Sequence, residues 1–225
     1  MSIVTIERKV LEKNDEVAAQ NRALFKKNNI FVVNMVSSPG SGKTSIIEKT
    51  LEHFNKRINI SIIEGDVQTN LDAQRVAKYN VPVVQIVTNG SCHLEAKLVH
   101  DALLNLEIEG TNIIFIENVG NLVCPAAYDL GEDMKIVIAS TTEGDDKPLK
   151  YPRMFLNASV LLINKIDLVP YLNCNVETLR QNALQINPSL KIFELSCTSG
   201  AGIKEWCDWL ESNSIARSGA TKQSH

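Results

Sequence analysis

From residue 30 onward the chain alternates short β-branched runs with amphipathic stretches, and the runs are apolar at nearly every position rather than at every second one. FVVNMV is followed by SIIEKTLEHF, INISIIEG by LDAQRVAKY, and VPVVQIVT by HLEAKLVHDALLNL. NIIFIEN, KIVIAST, VLLINK and KIFELS continue the series, with helical segments such as VETLRQNALQI and IKEWCDWLES between them. A strand that is apolar on both sides must be buried on both sides, so these strands belong in a parallel sheet covered by helices on each face. The expected fold is α/β, doubly wound and mostly parallel. Residues 1–29 stand apart as one long charged helix. Ile3, Val10, Val17 and Leu24 form one apolar row, and Leu11, Ala18 and Phe25 form a second beside it. This helix is expected to pack on its own domain, with docking to a partner as the alternative. The division expected is a helix over 1–29, a nucleotide-binding domain over 30–213 and a frayed polar tail over 214–225.

Composition narrows the classes. With 225 residues, 44% hydrophobic and 22% charged, the chain fits a single globular domain with short appendages. A net charge of −3 without a basic stripe argues against a nucleic-acid binder. No apolar run reaches the roughly 18 residues that span a bilayer, so no membrane insertion is expected. The N-terminus lacks the continuous apolar core of a signal peptide. Cys92, Cys124, Cys174, Cys197 and Cys207 are odd in number and widely spread, which is not a disulfide framework. A reducing cytoplasm with free or metal-bound thiols is the expectation.

Doubly wound sheets bind ligands at the carboxyl ends of their strands. The first strand exit reads Ser37-Ser38-Pro39-Gly40-Ser41-Gly42-Lys43-Thr44, a phosphate-binding loop with Ser37 where the first glycine is usual. Ser38, Pro39, Gly40, Ser41, Gly42, Lys43, Thr44 and Ser45 are the expected phosphate shell. Lys43 would reach the β- and γ-phosphates, and Thr44 would ligate Mg²⁺. Lys43 is expected to face solvent without nucleotide. At another exit, Asn164-Lys165-Ile166-Asp167 can read guanine, because a carboxylate at Asp167 accepts from N1–H and the exocyclic amine, a donor pair adenine lacks. Lys165 would cover the base plane and Asn164 brace the loop. Ser196, Cys197 and Thr198 resemble the loop of G domains that meets guanine O6, with Cys197 and Thr198 replacing the usual Ala and Lys. GTP and its product GDP are the expected ligands.

Acidic strand exits supply the metal chemistry. Asp66 and Asp72 lie beyond one strand and Glu117 ends another, all three expected near Mg²⁺, with Glu117 reaching it through water. Gly120 would offer its amide to a γ-phosphate oxygen. Asn121 stands where many GTPases carry a water-orienting glutamine, so slow turnover is expected. Lys43, Asp66, Glu117 and Gly120 make up the expected catalytic group.

SSPGSGKT, EGDVQTNLDA, CHLEA, IENVGNLVCPAAYDLGE, EGDDKPLKYP and NKIDL together resemble the hydrogenase nickel-insertion GTPases, the HypB family, from about residue 8 to 211. The resemblance implies a cytosolic P-loop GTPase of the SIMIBI type that dimerises with GTP and helps deliver Ni²⁺ to the large subunit of a [NiFe]-hydrogenase, together with other nickel-insertion accessory proteins. It implies Cys92, His93 and Cys124 as metal ligands, for which Ni²⁺ and Zn²⁺ are both suitable. An N-terminal cysteine cluster or histidine-rich run, found in some members, is absent. Cys92 is expected in the first turn of a helix, where the dipole favours a thiolate. His100 is a possible outer ligand but is read as a surface residue. A urease-type GTPase would show Cys-Pro-His, whereas Cys124-Pro125 is followed here by Ala126. A non-enzymatic metal carrier would bind metal without GTP turnover.

Overall fold

The computed structural model describes residues 3–67 and 71–222, with side chains from 9 to 67 and from 71 to 217. The chain opens with α1 (Ile3–Lys27), β1 (Phe31–Ser37) and α2 (Lys43–Phe54), followed by β2 (Ile60–Asp66), α3 (Leu71–Ala77), β3 (Val83–Val87) and α4 (Ala96–Leu103). Then come β4 (Ile113–Glu117), β5 (Met134–Ser140), α5 (Lys147–Lys150), α6 (Pro152–Leu156), β6 (Val160–Asn164), α7 (Val176–Ile186), β7 (Lys191–Glu194) and α8 (Ile203–Lys222). The seven strands form one sheet in the order β3-β2-β4-β1-β5-β6-β7. Every pair is parallel. The doubly wound fold is as expected.

Strand β1 is buried at all seven positions, and its period of two sends neighbours to opposite layers. Phe31, Val33 and Met35 pack with Ile46, Ile47, Leu51 and Phe54 of α2 and Trp206 and Leu210 of α8. On the other face, Val32, Ile114 and Ile116 pack with Phe25 of α1 and Val99 and Leu103 of α4. Val137, Leu161 and Ile163 meet Phe155 of α6 and Leu179 of α7. Each such aliphatic or aromatic side chain contributes about 1.5–3 kcal/mol by leaving water. The chain runs from β1 through β2 to the β3 edge and returns through β4 to β5, so the connections leaving the neighbouring strands β1 and β4 run in opposite directions, which puts the switch point at the carboxyl ends of β1, β4 and β5.

One boundary and one helix face differ from expectation. Helix α8 runs on to Lys222, past the limit at 213. Ser214 is buried, its hydroxyl donates to Glu211 O at 2.8 Å, and Arg217 pairs with Asp133. That polar stretch is anchored by charge and not by apolar burial, so hydropathy did not signal it. In α1, Leu11 is half-buried while Ala18 and Phe25 are buried, but Val10 is exposed. Asn14 and Asn21 complete the inward face instead. The side chain of Ile3 lies outside the described residues.

Candidate functional site

The loop after β1 curls because Gly40 (φ 75°) and Gly42 (φ 102°) adopt left-handed conformations. A β-carbon on Gly42 would collide with the Asn164 amide, so glycine is required there for close approach as well as for conformation. Asn164 Nδ2 donates to Ser41 O at 2.9 Å and Lys165 Nζ to Gly40 O at 2.7 Å. The Asn164–Asp167 segment is therefore fastened to the phosphate loop. Lys165 is itself left-handed (φ 64°), and this turns the chain into the short 3-10 segment that carries Asp167.

Lys43 is buried, not solvent-facing, because the Ser37 hydroxyl accepts its ammonium at 3.1 Å. The residue replacing the first glycine thus parks the lysine. The Ser45 hydroxyl is engaged by Arg75, accepting from its Nη2 at 3.0 Å. Two residues not anticipated close over the loop. Glu143 accepts from Ser41 Oγ, and Lys147 Nζ lies 2.9 Å from Ser38 Oγ and 3.4 Å from Glu143. In the Ser196 turn, the amides of Thr198 and Ser199 donate to Ser196 Oγ at 3.2 and 3.1 Å, so the Thr198 amide is occupied within the loop. Burial pushes the Cys197 thiol up to about 11, which keeps it neutral beside Asn164.

A cavity of about 250 Å³ lies beside Lys43, lined by Pro39, Gly40, Glu64, Asp66, Asp72, Glu117 and Gly120 among others. A larger one, about 520 Å³, sits at the amino ends of β2 and β4, away from the strand exits and the clustered acids. Gly120 presses on the phosphate loop, where an added β-carbon would meet Pro39 N and Cα at 3.1 Å. Among the described residues, the ligand atoms of Glu64, Asp66 and Asp72 lie within 4.8 Å of one another. Glu117 instead accepts from Thr44 Oγ1 at 2.8 Å, and its second oxygen is buried without a partner. The expected Mg²⁺ ligands thus fall into two groups around one cavity. Residues 68–70 of the intervening motif lie outside the described residues.

Glu64 was not anticipated. It pairs in register with Glu117 across β2 and β4, two buried carboxylates on neighbouring strands. Burial, with the charges of Glu117 and Asp66 adding, pushes Glu64 up to about 8; burial pushes Glu117 up to about 7 against the pull of Lys43. Both carboxyls retain protons that the unfolded chain loses near its ordinary 4.5. The folded state then binds more protons than the unfolded one, so this contribution to stability is lost as pH rises from about 5 to 8. Each retained proton is worth up to roughly 1.4 kcal/mol per pH unit. Thermal melts of the nucleotide-free protein should show Glu64→Gln flattening the decline across that window. Equal slopes for both proteins would refute the assignment.

The second group of ligand-bearing side chains is Cys92, His93 and Cys124, also within 4.8 Å of one another. The Cys92 and Cys124 sulfurs approach to 2.8 Å, and His93 Nδ1 lies 3.6 Å from Cys92 Sγ. Cys92 is not in a helical turn: α4 begins at Ala96 with Glu95 as its cap, leaving Cys92 on the preceding loop. Leu94 intervenes, buried where the missing side chain of Gly65 makes room for it. The contact with Cys92 raises the Cys124 thiol, and burial lowers His93, which keeps its imidazole neutral. His93 stacks on Tyr128 with ring centroids 4.0 Å apart. His100 faces inward, with Nδ1 2.9 Å from Asn21 Oδ1, and is no part of this cluster. Lys135, buried on β5, donates to Pro125 O at 3.0 Å and Tyr128 O at 2.9 Å, stiffening the loop that carries Cys124.

One segment touches both sites. Glu117 faces Thr44, while the next residue, Asn118, points to the opposite layer and accepts from Leu94 N at 3.2 Å. Asn121, in place of any water-orienting residue, donates to Cys92 O at 3.3 Å.

The parallel sheet, the glycine-dependent loop and the tethered Asn164–Asp167 segment define a P-loop nucleotide-binding domain. The family described as CobW/HypB/UreG, nucleotide-binding domain, matches residues 31–194. A hydrogenase maturation factor HypB from Escherichia coli K12 is 47% identical over 214 residues, covering 95% of this chain and 74% of the relative. The HypB of Azotobacter vinelandii is 50% identical over 209 residues, covering 93% and 69%. The crystal structure of Helicobacter pylori HypB in complex with nickel superposes with a TM-score of 0.86 at 38% identity, covering 91% of this chain and 96% of that one. The chain belongs to the HypB family of hydrogenase maturation factors.

Proposed function

We propose that this protein is a slow GTPase that carries nickel and couples its release to nucleotide state during hydrogenase maturation. The observation that carries the reading is the segment from Glu117 to Cys124. Its first residue is bonded to the phosphate loop, its second to the Cys92–His93 loop, and its last is a sulfur ligand. Binding of a γ-phosphate at the Gly120 amide shifts that segment, and Cys124 moves relative to Cys92 and His93. Nickel, or zinc, is the cargo, held by two soft thiols and a neutral imidazole. Three ligands leave a coordination position open for transfer or for a second subunit.

The partnerless Glu117 oxygen and the neighbouring Glu64, Asp66 and Asp72 suit a divalent cation. Mg²⁺ held by Thr44, Asp66, Asp72 and Glu117 would neutralise charge on the β- and γ-phosphates. Lys43 leaves Ser37 for those phosphates, and Asp167 selects guanine. Asn121 is bonded to the Cys92 loop, and that bond supports the reading of slow turnover. The reading includes a GTP-dependent homodimer and delivery to the large subunit of a [NiFe]-hydrogenase in concert with other accessory proteins. It places the protein in the cytoplasm. No helix among the described residues is long and apolar enough to cross a membrane.

The test is titration of Ni²⁺ and Zn²⁺ into wild type and Cys124→Ala, each with GDP and with a non-hydrolysable GTP analogue. Wild-type affinity should differ between nucleotide states by about 1–3 kcal/mol. In Cys124→Ala that difference should largely vanish. Equal wild-type affinities in the two states refute the coupling.

A further inference from the structure

Helix α1 carries two buried asparagines, seven residues apart and so on one face. Asn14 Nδ2 donates to Asp129 O at 2.8 Å, and its Oδ1 accepts from Ala96 N at 2.9 Å. Asn21 Nδ2 donates to Ala96 O at 2.9 Å and Leu130 O at 3.1 Å, which uses both of its hydrogens. Ala96 follows His93 by three residues. Asp129 and Leu130 close the loop that begins at Cys124. Each asparagine therefore bridges the first residue of α4, where the Cys92–His93 loop ends, and the loop that begins at Cys124. Between them lies Ala18, packed so closely on this loop that a β-carbon on Gly131 would meet Ala18 O at 2.7 Å. On the exposed side, Arg22 Nη2 donates to both Asp129 carboxylate oxygens at 2.7 Å.

Helix attachment alone does not call for this arrangement. Leucines at 14 and 21 would hold α1 to the layer by burial, whereas buried amides cost free energy unless each is bonded. What the amides add is register, because they hold main-chain groups of both loops at hydrogen-bond distances from one rigid helix. We infer that α1 sets the spacing of the metal site, with Asn14 and Asn21 as positioning residues between the Cys92–His93 loop and the Cys124 loop. The inference rests on the reading of Cys92, His93 and Cys124 as metal ligands. Lys135 makes it effective, since the Cys124 loop moves as a stiff body when its Asp129–Leu130 end is displaced.

The experiment titrates Ni²⁺ alone into the full chain and into Asn14→Ala, Asn21→Ala and Asn14→Asp, reading affinity and the thiolate-to-nickel absorption band. Asn14→Asp keeps the acceptor for the Ala96 amide and lacks the donor for Asp129 O. All three should lose about tenfold or more in affinity, the range seen when groups orienting metal ligands are removed, and should alter the band. Their GDP affinity should stay within twofold of wild type. Leu210→Ala, which loosens the opposite layer, should lower the melting temperature and leave nickel binding intact. Wild-type affinity and spectrum in the asparagine variants, or an equal loss in Leu210→Ala, overturns the inference. An unchanged titration for Cys124→Ala overturns the metal reading beneath it.

Discussion

Lys43→Ala should lower single-turnover GTP hydrolysis by roughly 10²–10³-fold, the loss typical of deleting one preorganised charge-stabilising donor. In the folded protein the ammonium rests on Ser37 Oγ at 3.1 Å, buried beside Glu117 and Glu64. In the proposed nucleotide complex it would need only to exchange that one hydroxyl for phosphate oxygens. The same position gives it a second role. Its charge holds down the two carboxyls that burial pushes up, so removing it leaves them more strongly protonated, and those protons would compete with the Mg²⁺ of the proposed function. The variant should therefore also need more Mg²⁺ for nucleotide binding. Lys43→Arg keeps the charge but substitutes a planar fork for a point charge, and should recover Mg²⁺ dependence without recovering the rate. Hydrolysis by Lys43→Ala at the wild-type rate would place the phosphate contact elsewhere.

Much of the architecture was legible because a strand buried on both faces has no polar side to disguise it. FVVNMV, NIIFIEN and VLLINK became β1, β4 and β6, and the candidate residues at their exits followed from the rule that such sheets bind ligands at the carboxyl ends of their strands. What was missed are polar groups whose partners are distant in sequence. Glu64 sits inside an apolar strand, and only the register with β4 sets it beside Glu117. Asn14 and Asn21 interrupt an apolar stripe, so a search for hydrophobic period assigned the helix's inward face half a step wrong. Two asparagines seven apart, in line with Leu11, Ala18 and Phe25, were the available signal. The helical start expected at Cys92 failed because Leu94 is drawn into the core over Gly65, which delays the first turn to Ala96. Lys43 is buried where exposure to solvent is expected, because nothing local in sequence shows that the Ser37 hydroxyl will accept a hydrogen bond from its ammonium.

Asp167→Asn should weaken GTP binding by roughly 2–4 kcal/mol while xanthosine triphosphate gains relative affinity. In the proposed base contact the carboxylate accepts from two guanine donors at once; an amide in its place would accept one and oppose the other with its own N–H. Xanthine carries an oxygen where guanine has its amine, so the same amide N–H finds an acceptor. The structure makes this substitution a clean probe of base choice. Asn164 and Lys165 tie the segment to Ser41 O and Gly40 O through their own side chains, and Thr141 Oγ1 donates to Lys165 O at 2.7 Å. None of those bonds involves the Asp167 carboxylate, so the backbone that presents residue 167 is held independently of it. Loss of GTP affinity with unchanged melting temperature is the expected pair of results. Competition between GTP and xanthosine triphosphate for the mutant, followed by displacement of a fluorescent nucleotide, measures it. An unchanged preference for GTP would move guanine recognition to the Ser196–Thr198 turn, whose Thr198 amide is already engaged by Ser196 Oγ.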